Sequence, residues 1–255
     1  MGCRCNSLYF VDKSSILKPF SKKVIQENIR IVRDRIASAC RRAGRDPSTV
    51  TLIAVSKTFG RERIAEALEC GLSDFGENYI QELREKRDFL GESDIRWHFV
   101  GHLQTNKIRH IAEWIHLIHS VDSIRLAQAL SAAGSRIGRT IPLLVEVNTT
   151  GEATKFGCRP EQALALTREI GTLPSLHIGG LMTIGPMPEE AEDARPAFRL
   201  LRQLRDRLEE DGLDAPVLSM GMTNDFEVAI EEGATHLRVG TAIFGKRVSA
   251  QTLKG

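Results

Sequence analysis

The sequence is poor in aromatics, at 5% of its 255 residues, and no apolar run approaches the roughly 18 residues that a membrane span needs. Charge of one sign is also lacking. Lys+Arg 35 against Asp+Glu 33 leaves +2, so no global field draws the chain to a nucleic acid or a membrane surface. Its five cysteines, Cys3, Cys5, Cys40, Cys70 and Cys158, contain no C-x-x-C, which speaks against a zinc or thioredoxin-like motif. An odd, irregular set of this kind fits a reduced, cytoplasmic protein. Ordinary globular composition, 42% apolar and 27% charged, excludes collagen-like and disordered chains.

Residues 1–21 carry neither helical nor strand period and lack the apolar core of a secretory signal. Met1-Gly2 opens like a myristoylation signal, but Asn6 stands where Ser or Thr is needed. A loose tail is expected there, with a second short one over 249–255. Between them, 22–248 reads as one domain, since no Gly/Ser/Pro linker or repeat interrupts it.

From Val24 onward helix and strand signals alternate. Val24, Ile25, Ile29, Val32 and Ile36 form a helical stripe closed by Gly44. Strands are expected at 50–55, 74–75, 97–100, 115–121, 142–147, 176–184, 217–220 and 236–239. Helices are expected between them, including one over 106–113 and a long charged one over 189–210. Continuous apolar strands separated by amphipathic helices imply a parallel sheet covered by helices. Eight such units predict an α/β protein, a single (β/α)8 TIM-type barrel with an extra N-terminal helix. A doubly wound sheet is the rival.

Chemistry in such barrels sits at the C-terminal ends of the strands. Lys57 follows the first strand directly. Partial desolvation there makes a lysine nucleophilic, as Schiff-base chemistry requires, or else the side chain simply snorkels to solvent. Ser219, Gly221, Gly240 and Thr241 follow the seventh and eighth strands, the usual phosphate corner, although Gly and Ser also fill plain turns. Arg238 shares a strand face with Gly240 and can point into the barrel mouth, where it needs an acceptor: a ligand atom, or a carboxylate such as Asp225 or Glu77. His116 and His119, three apart, are expected on opposite strand faces, and His98 and His102 lack an H-E-x-x-H frame, so no metal site is expected.

Together these residues resemble the pyridoxal phosphate homeostasis protein family, single-domain relatives of the alanine racemase barrel. The resemblance rests on Ala54-Val-Ser-Lys-Thr58, Phe75-Gly-Glu-Asn-Tyr79, Trp97-His-Phe-Val-Gly101, Leu103-Gln-Thr-Asn-Lys107, Ser120-Val-Asp122, Lys155-Phe-Gly157, Gly180-Leu-Met182, Leu218-Ser-Met-Gly-Met222 and Arg238-Val-Gly-Thr-Ala-Ile-Phe-Gly245. It runs from about Val24 to Arg247. Thr105 and Thr223 stand where many members have Ser, and both keep the hydroxyl.

The resemblance implies a fold-type III barrel with pyridoxal 5′-phosphate (PLP) bound as an internal aldimine on Lys57. Ser219, Gly240 and Thr241 would hold the phosphate, with Met220 in the same loop. Arg238 would face the pyridine nitrogen, Asn78 would lie near the cofactor, and His98 would line the pocket. Lys155 corresponds to a weak secondary PLP site. An arginine opposite the ring nitrogen disfavours its protonation and damps carbanion chemistry.

Racemases of this fold take a second base, a tyrosine, from the C-terminal domain of a partner subunit. This chain ends about eight residues after Arg247, and its tyrosines are Tyr9 and Tyr79. The expectation is therefore a non-enzymatic monomer without catalytic residues. It would serve vitamin B6 homeostasis by holding PLP and passing it to apo-enzymes. A PLP-dependent racemase is the alternative, and a Schiff-base aldolase a more distant one.

Overall fold

The computed structural model describes residues 20–91, 93–186 and 189–245. Eight parallel strands close into a barrel in sequence order: β1 (Thr51–Val55), β2 (Asp74–Glu77), β3 (Arg96–Phe99), β4 (Leu117–Val121), β5 (Ile141–Glu146), β6 (Leu176–Met182), β7 (Val217–Ser219) and β8 (His236–Val239). Pairing of β1 with β8, Ile53 beside Arg238, completes the circle. The doubly wound alternative is thereby excluded. The expected tails lie outside the described residues, except that Phe20 and Ser21 already belong to the first helix.

That helix, α1 (Phe20–Arg42), buries Ile25, Ile29, Val32, Ile36, Ala39 and Cys40 at alternating spacings of four, three and one, a helical stripe. Val24 was expected on this stripe but is 51% exposed, because it lies one position round the helix from Ile25. The stripe packs on two short helices that follow the last strands, α7 (Phe226–Glu231) and α8 (Thr241–Phe244). Arg45 donates to the carbonyls of Ile230 and Ala234, and Asn28 to that of Ile243, which fixes the first helix to the last.

The outer layer also holds α2 (Arg61–Glu69), α3 (Ile80–Leu90), α4 (Ile124–Ile137), α5 (Pro160–Gly171) and α6 (Arg195–Glu210). Two expected helices differ. Residues Thr105–His110 form a 3-10 turn. Ile108 and Ile111, both buried and three apart, suit its tighter pitch. The long helix over 189–210 is broken, with a 3-10 turn at Ala191–Ala194 and α6 starting at Arg195. Pro196 is tolerated in a first helical turn but not in a helix interior, so it fixes the start.

Successive strand residues face opposite sides. Ala54, Phe75, Phe99, Leu181, Leu237 and Val239 belong to the large core between barrel and helices. Leu117, Leu144 and Met182 form a separate small cluster inside the barrel. Much of the remaining interior is polar, in contrast to the branched apolar layers usual in such barrels.

Between β5 and β6 the register shifts, with Leu143 opposite Ile178 and Leu144 opposite Gly180, so Gly179 is the extra residue of a bulge. Gly180 takes φ +150, and a Cβ there would meet the Val217 carbonyl oxygen at 2.0 Å. Gly180→Ala is expected to lower stability by about 2–4 kcal/mol, since the obstacle is backbone in a neighbouring strand. A urea-unfolding midpoint unchanged from wild type would contradict this.

Candidate functional site

Strand ends β1, β2 and β8 and the loops after β6 and β7 surround a cavity of about 400 Å³. Such a volume lies within the range of roughly 300–1,000 Å³ typical of small-ligand sites. Lys57, Asn78, Arg238, Gly240 and Thr241 all line it, and so do Thr223 and Asn224. Val55, Phe59, Val100, Ile184 and Met222 supply apolar walls.

Lys57 is held from behind. Ser56 is fully buried; its hydroxyl donates to Glu77 Oε1 at 2.6 Å, and its carbonyl accepts from Lys86 Nζ at 2.8 Å. Lys86 also pairs with Glu77 at 2.6 Å, inside the strand–helix layer. Burial pushes the Glu77 carboxyl upward and Lys86 opposes it. On the other side of Lys57, Thr58 adopts φ +69, and its N–H donates to Glu82 Oε2 at 2.9 Å. A non-glycine residue in that region costs energy, which α3 offsets through Glu82. The sequence reading of Lys57 did not include this clamp. Glu82 and Lys86, four apart on the helix following Glu77, were the available signal.

The loop after β7 turns at Gly221, where φ is +91. Asp225 Oδ1 accepts from the Met222 N–H at 2.6 Å, which folds Thr223 and Asn224 toward the cavity. Gly240 and Thr241 open α8, and the first N–H groups of a helix have no intrahelical partners. Two threonine hydroxyl residues and Gly240 thus line the same cavity as Lys57.

Four of the residues expected to bind the cofactor do not line this cavity. Ser219 is fully buried beneath it, where its oxygen accepts from Arg238 NH1 at 2.5 Å and lies 2.9 Å from His119 Nδ1. Met220 alternates to the other side of the strand and joins the outer core. Thr223, two residues past the turn, lines the cavity from the same loop. His98 is fully buried inside the barrel, with Nε2 3.1 Å from Asp74 Oδ1 and Nδ1 2.9 Å from His119 Nε2. Lys155 lies outside the cavity lining; its amine donates to Glu152 at 2.6 Å and to the Gly185 carbonyl at 2.9 Å.

His116 and His119 were expected on opposite faces, yet both rings approach His98, at 5.1 and 5.2 Å between centroids. The reason is that β4 starts at Leu117, so His116 precedes the strand and escapes its alternation. Both ring nitrogens of His98 and of His119 are already spent on hydrogen bonds.

Arg238 is 6% exposed. Its acceptors are Ser219 and the Thr183 carbonyl at 2.7 Å, and not a carboxylate such as Asp225 or Glu77, one of the two alternatives the sequence left open. Burial pushes its guanidinium down to about 10, with Glu146 and Asp225 opposing, so it remains charged at neutral pH. Glu146 is pushed up to about 7 by burial and by nearby Asp122, against the pull of Arg238.

A family model described as alanine racemase, N-terminal domain, matches residues 23–248. The pyridoxal phosphate homeostasis protein of Aquifex aeolicus is 45% identical over 222 residues, covering 87% of this chain and 97% of that one. A crystal structure from Bifidobacterium adolescentis aligns with TM-score 0.85 at 37% identity, over 90% of this chain and 98% of that one. PipY of Synechococcus elongatus, solved with PLP bound, aligns with TM-score 0.76 at 34% identity, over 87% and 100%.

Two outcomes follow from the site's buried charges. Lys86→Met leaves Glu77 uncompensated and is expected to destabilise by about 3–5 kcal/mol, with the double replacement Glu77→Leu, Lys86→Met recovering much of it. Chemical denaturation of the three proteins checks this. Glu146 has a folded-state value above its ordinary 4.5, so its contribution is full below that value and lost as pH rises through about 7. Between pH 5 and pH 8 the wild type should lose about 1–3 kcal/mol relative to Glu146→Gln, read from paired urea titrations.

Proposed function

The chain belongs to the pyridoxal phosphate homeostasis proteins, within the alanine racemase N-terminal-domain family, and from that premise we propose that it holds pyridoxal 5′-phosphate in the cavity at the barrel mouth. The observation that carries this reading is one cavity lined at once by Lys57, Arg238, Thr223 and Thr241. That donor set fits the group: an amine for its aldehyde, hydroxyls and helix-opening N–H groups for its phosphate, and a cation for its ring nitrogen. When bound, PLP supplies reversible condensation of its aldehyde with a primary amine, which makes a visible chromophore.

In this reading Lys57 provides the amine, and the clamp of Ser56, Glu77, Lys86 and Glu82 holds that amine at the strand end. Thr223, Gly240 and Thr241 hold the phosphate. Arg238 would serve the ring nitrogen, where a cation disfavours protonation. Asn78, on the cavity wall, orients the ring. Val55, Phe59 and Val100 exclude water from the amine's surroundings. Support comes from the relatives' shared name and from PipY, which was solved with PLP bound.

We further propose storage and transfer rather than turnover. Moving an α-proton across a flat cofactor needs a base on each face. Tyr79 is 59% exposed and lines the neighbouring groove, not the Lys57 cavity. Delivery to apo-enzymes in the cytoplasm, by a monomer, completes the proposal. The described cysteines, Cys40, Cys70 and Cys158, are free thiols, as a reducing compartment requires.

The test is the visible absorption of the purified protein and of Lys57→Ala, with PLP added, followed by mixing with a PLP-requiring apo-enzyme. A yellow band present in wild type and absent in the variant is expected, and so is recovery of apo-enzyme activity. A colourless wild type that takes up no added PLP sinks the binding reading. α-Proton exchange with an amino acid in heavy water, lost in Lys57→Ala, sinks the non-enzymatic one.

A further inference from the structure

The barrel interior carries an unbroken hydrogen-bonded chain between its two ends. At the N-terminal end of the strands Asp74 pairs with Arg96 at 2.6 Å, and both line a surface groove. Asp74 Oδ1 then meets His98 Nε2 at 3.1 Å, and His98 Nδ1 meets His119 Nε2 at 2.9 Å. His119 Nδ1 meets Ser219 Oγ at 2.9 Å, and Ser219 Oγ meets Arg238 NH1 at 2.5 Å. Arg238 in turn lines the cofactor cavity. His98, His119 and Ser219 are fully buried.

The carboxylate end of this chain dictates its direction, and the guanidinium end is compatible with it. A guanidinium only donates, so Ser219 accepts from Arg238, and an outward run that ends on an unprotonated His119 Nδ1 directs the serine proton to that nitrogen. His119 then carries its proton on Nε2 and gives it to His98 Nδ1. His98 likewise carries its proton on Nε2 and gives it to Asp74. From the other end, an ionised carboxylate only accepts, which requires the Nε2 proton of His98. Although burial acts against it, Asp74 is held well below the usual carboxylate range by hydrogen bonds from His98 and Arg96. Burial lowers both imidazoles, so each is neutral and has one donor and one acceptor to place. Reversing the links between the rings would turn a lone pair of His98 Nε2 onto the Asp74 carboxylate.

We propose that Asp74, His98, His119 and Ser219 are positioning residues, one oriented hydrogen-bond chain along the barrel interior that fixes Arg238 as an immobile cation facing the cofactor ring. This rests on the reading of the cavity as a PLP site. An arginine side chain has many rotamers, and a cation free to swing could not hold a constant field at one ring atom. Here NH1 is tied through three neutral groups to a carboxylate at the opposite end of the barrel, while NH2 is tied to the Thr183 carbonyl. The chain also explains why His98 and Ser219 occupy places beside the cofactor motifs in sequence without reaching the cavity.

The first measurement needs no cofactor. Long-range proton–nitrogen correlation on ligand-free protein labelled with 15N-histidine should show both His98 and His119 protonated on Nε2. An Nδ1 proton on either ring overturns the proposal, whatever the fate of PLP binding. The second compares His119→Leu with His236→Leu. His236 belongs to the same ring cluster, 6.3 Å from His119 between centroids, but its Nδ1 bonds to Thr235 and not to the chain. His119→Leu should broaden the Arg238 guanidinium proton signals and weaken PLP binding about tenfold. It should also shift the pH dependence of the bound chromophore. His236→Leu should leave the Arg238 signals in place. Equal losses in the two variants would mean that the cluster is merely packing and would reject the chain. Wild-type protein that binds no PLP would remove the cavity reading, and the tautomers and guanidinium signals would still test the chain on its own.

Discussion

A guanidinium buried in a barrel interior is the constraint on which the rest of this site depends. Arg238 at 6% exposure has to have its protons accepted and its charge balanced, because an unpaired buried cation costs several kcal/mol. The acceptors are a serine hydroxyl and a backbone carbonyl, and the nearby carboxyl groups of Glu146 and Asp225 favour the charged form. That requirement makes the interior polar where such barrels are usually filled with branched apolar side chains. Histidines suit the task because a neutral imidazole presents one donor and one acceptor in fixed directions.

Lys57 is governed by a second and separate device on the outer side of the strands. Glu77, Lys86 and Glu82 fix the backbone on either side of it through Ser56 and Thr58. The cavity thus has an amine positioned from the helix layer and a cation positioned from the barrel axis. Two supports that share no side chain meet only at the cavity. The glycine turns at Gly221 and Gly240 complete the arrangement by letting backbone approach where a side chain would intrude.

Much of the fold was legible in the chain. Eight apolar runs separated by amphipathic helices lead to the barrel because parallel strands, buried on both faces, must read as continuous apolar segments. The exceptions have local causes. Pro196 starts α6 late, the three-residue spacing of Ile108 and Ile111 favours a 3-10 turn, and Val24 lies just off the buried stripe of α1. The site was legible in part. Lys57, Asn78, Arg238, Gly240 and Thr241 come together in one cavity as strand-end placement required. Ser219 and His98 do not, because strand position shows which end of the barrel a residue occupies but not its depth, and Met220 does not because it falls on the outer face of its strand.

By itself, the sequence determined the architecture and the chemical types available at the barrel mouth, since periodicity and strand-end position are one-dimensional properties. Tertiary structure alone decided which polar residues touch one another. Asp74, His98, His119, Ser219 and Arg238 span 164 positions from Asp74 to Arg238 and come from five different strands. Nothing local in the chain links them. Only closure of the barrel, with each strand adding one inward side chain, brings their hydrogen-bonding groups within reach and forces them into a single direction.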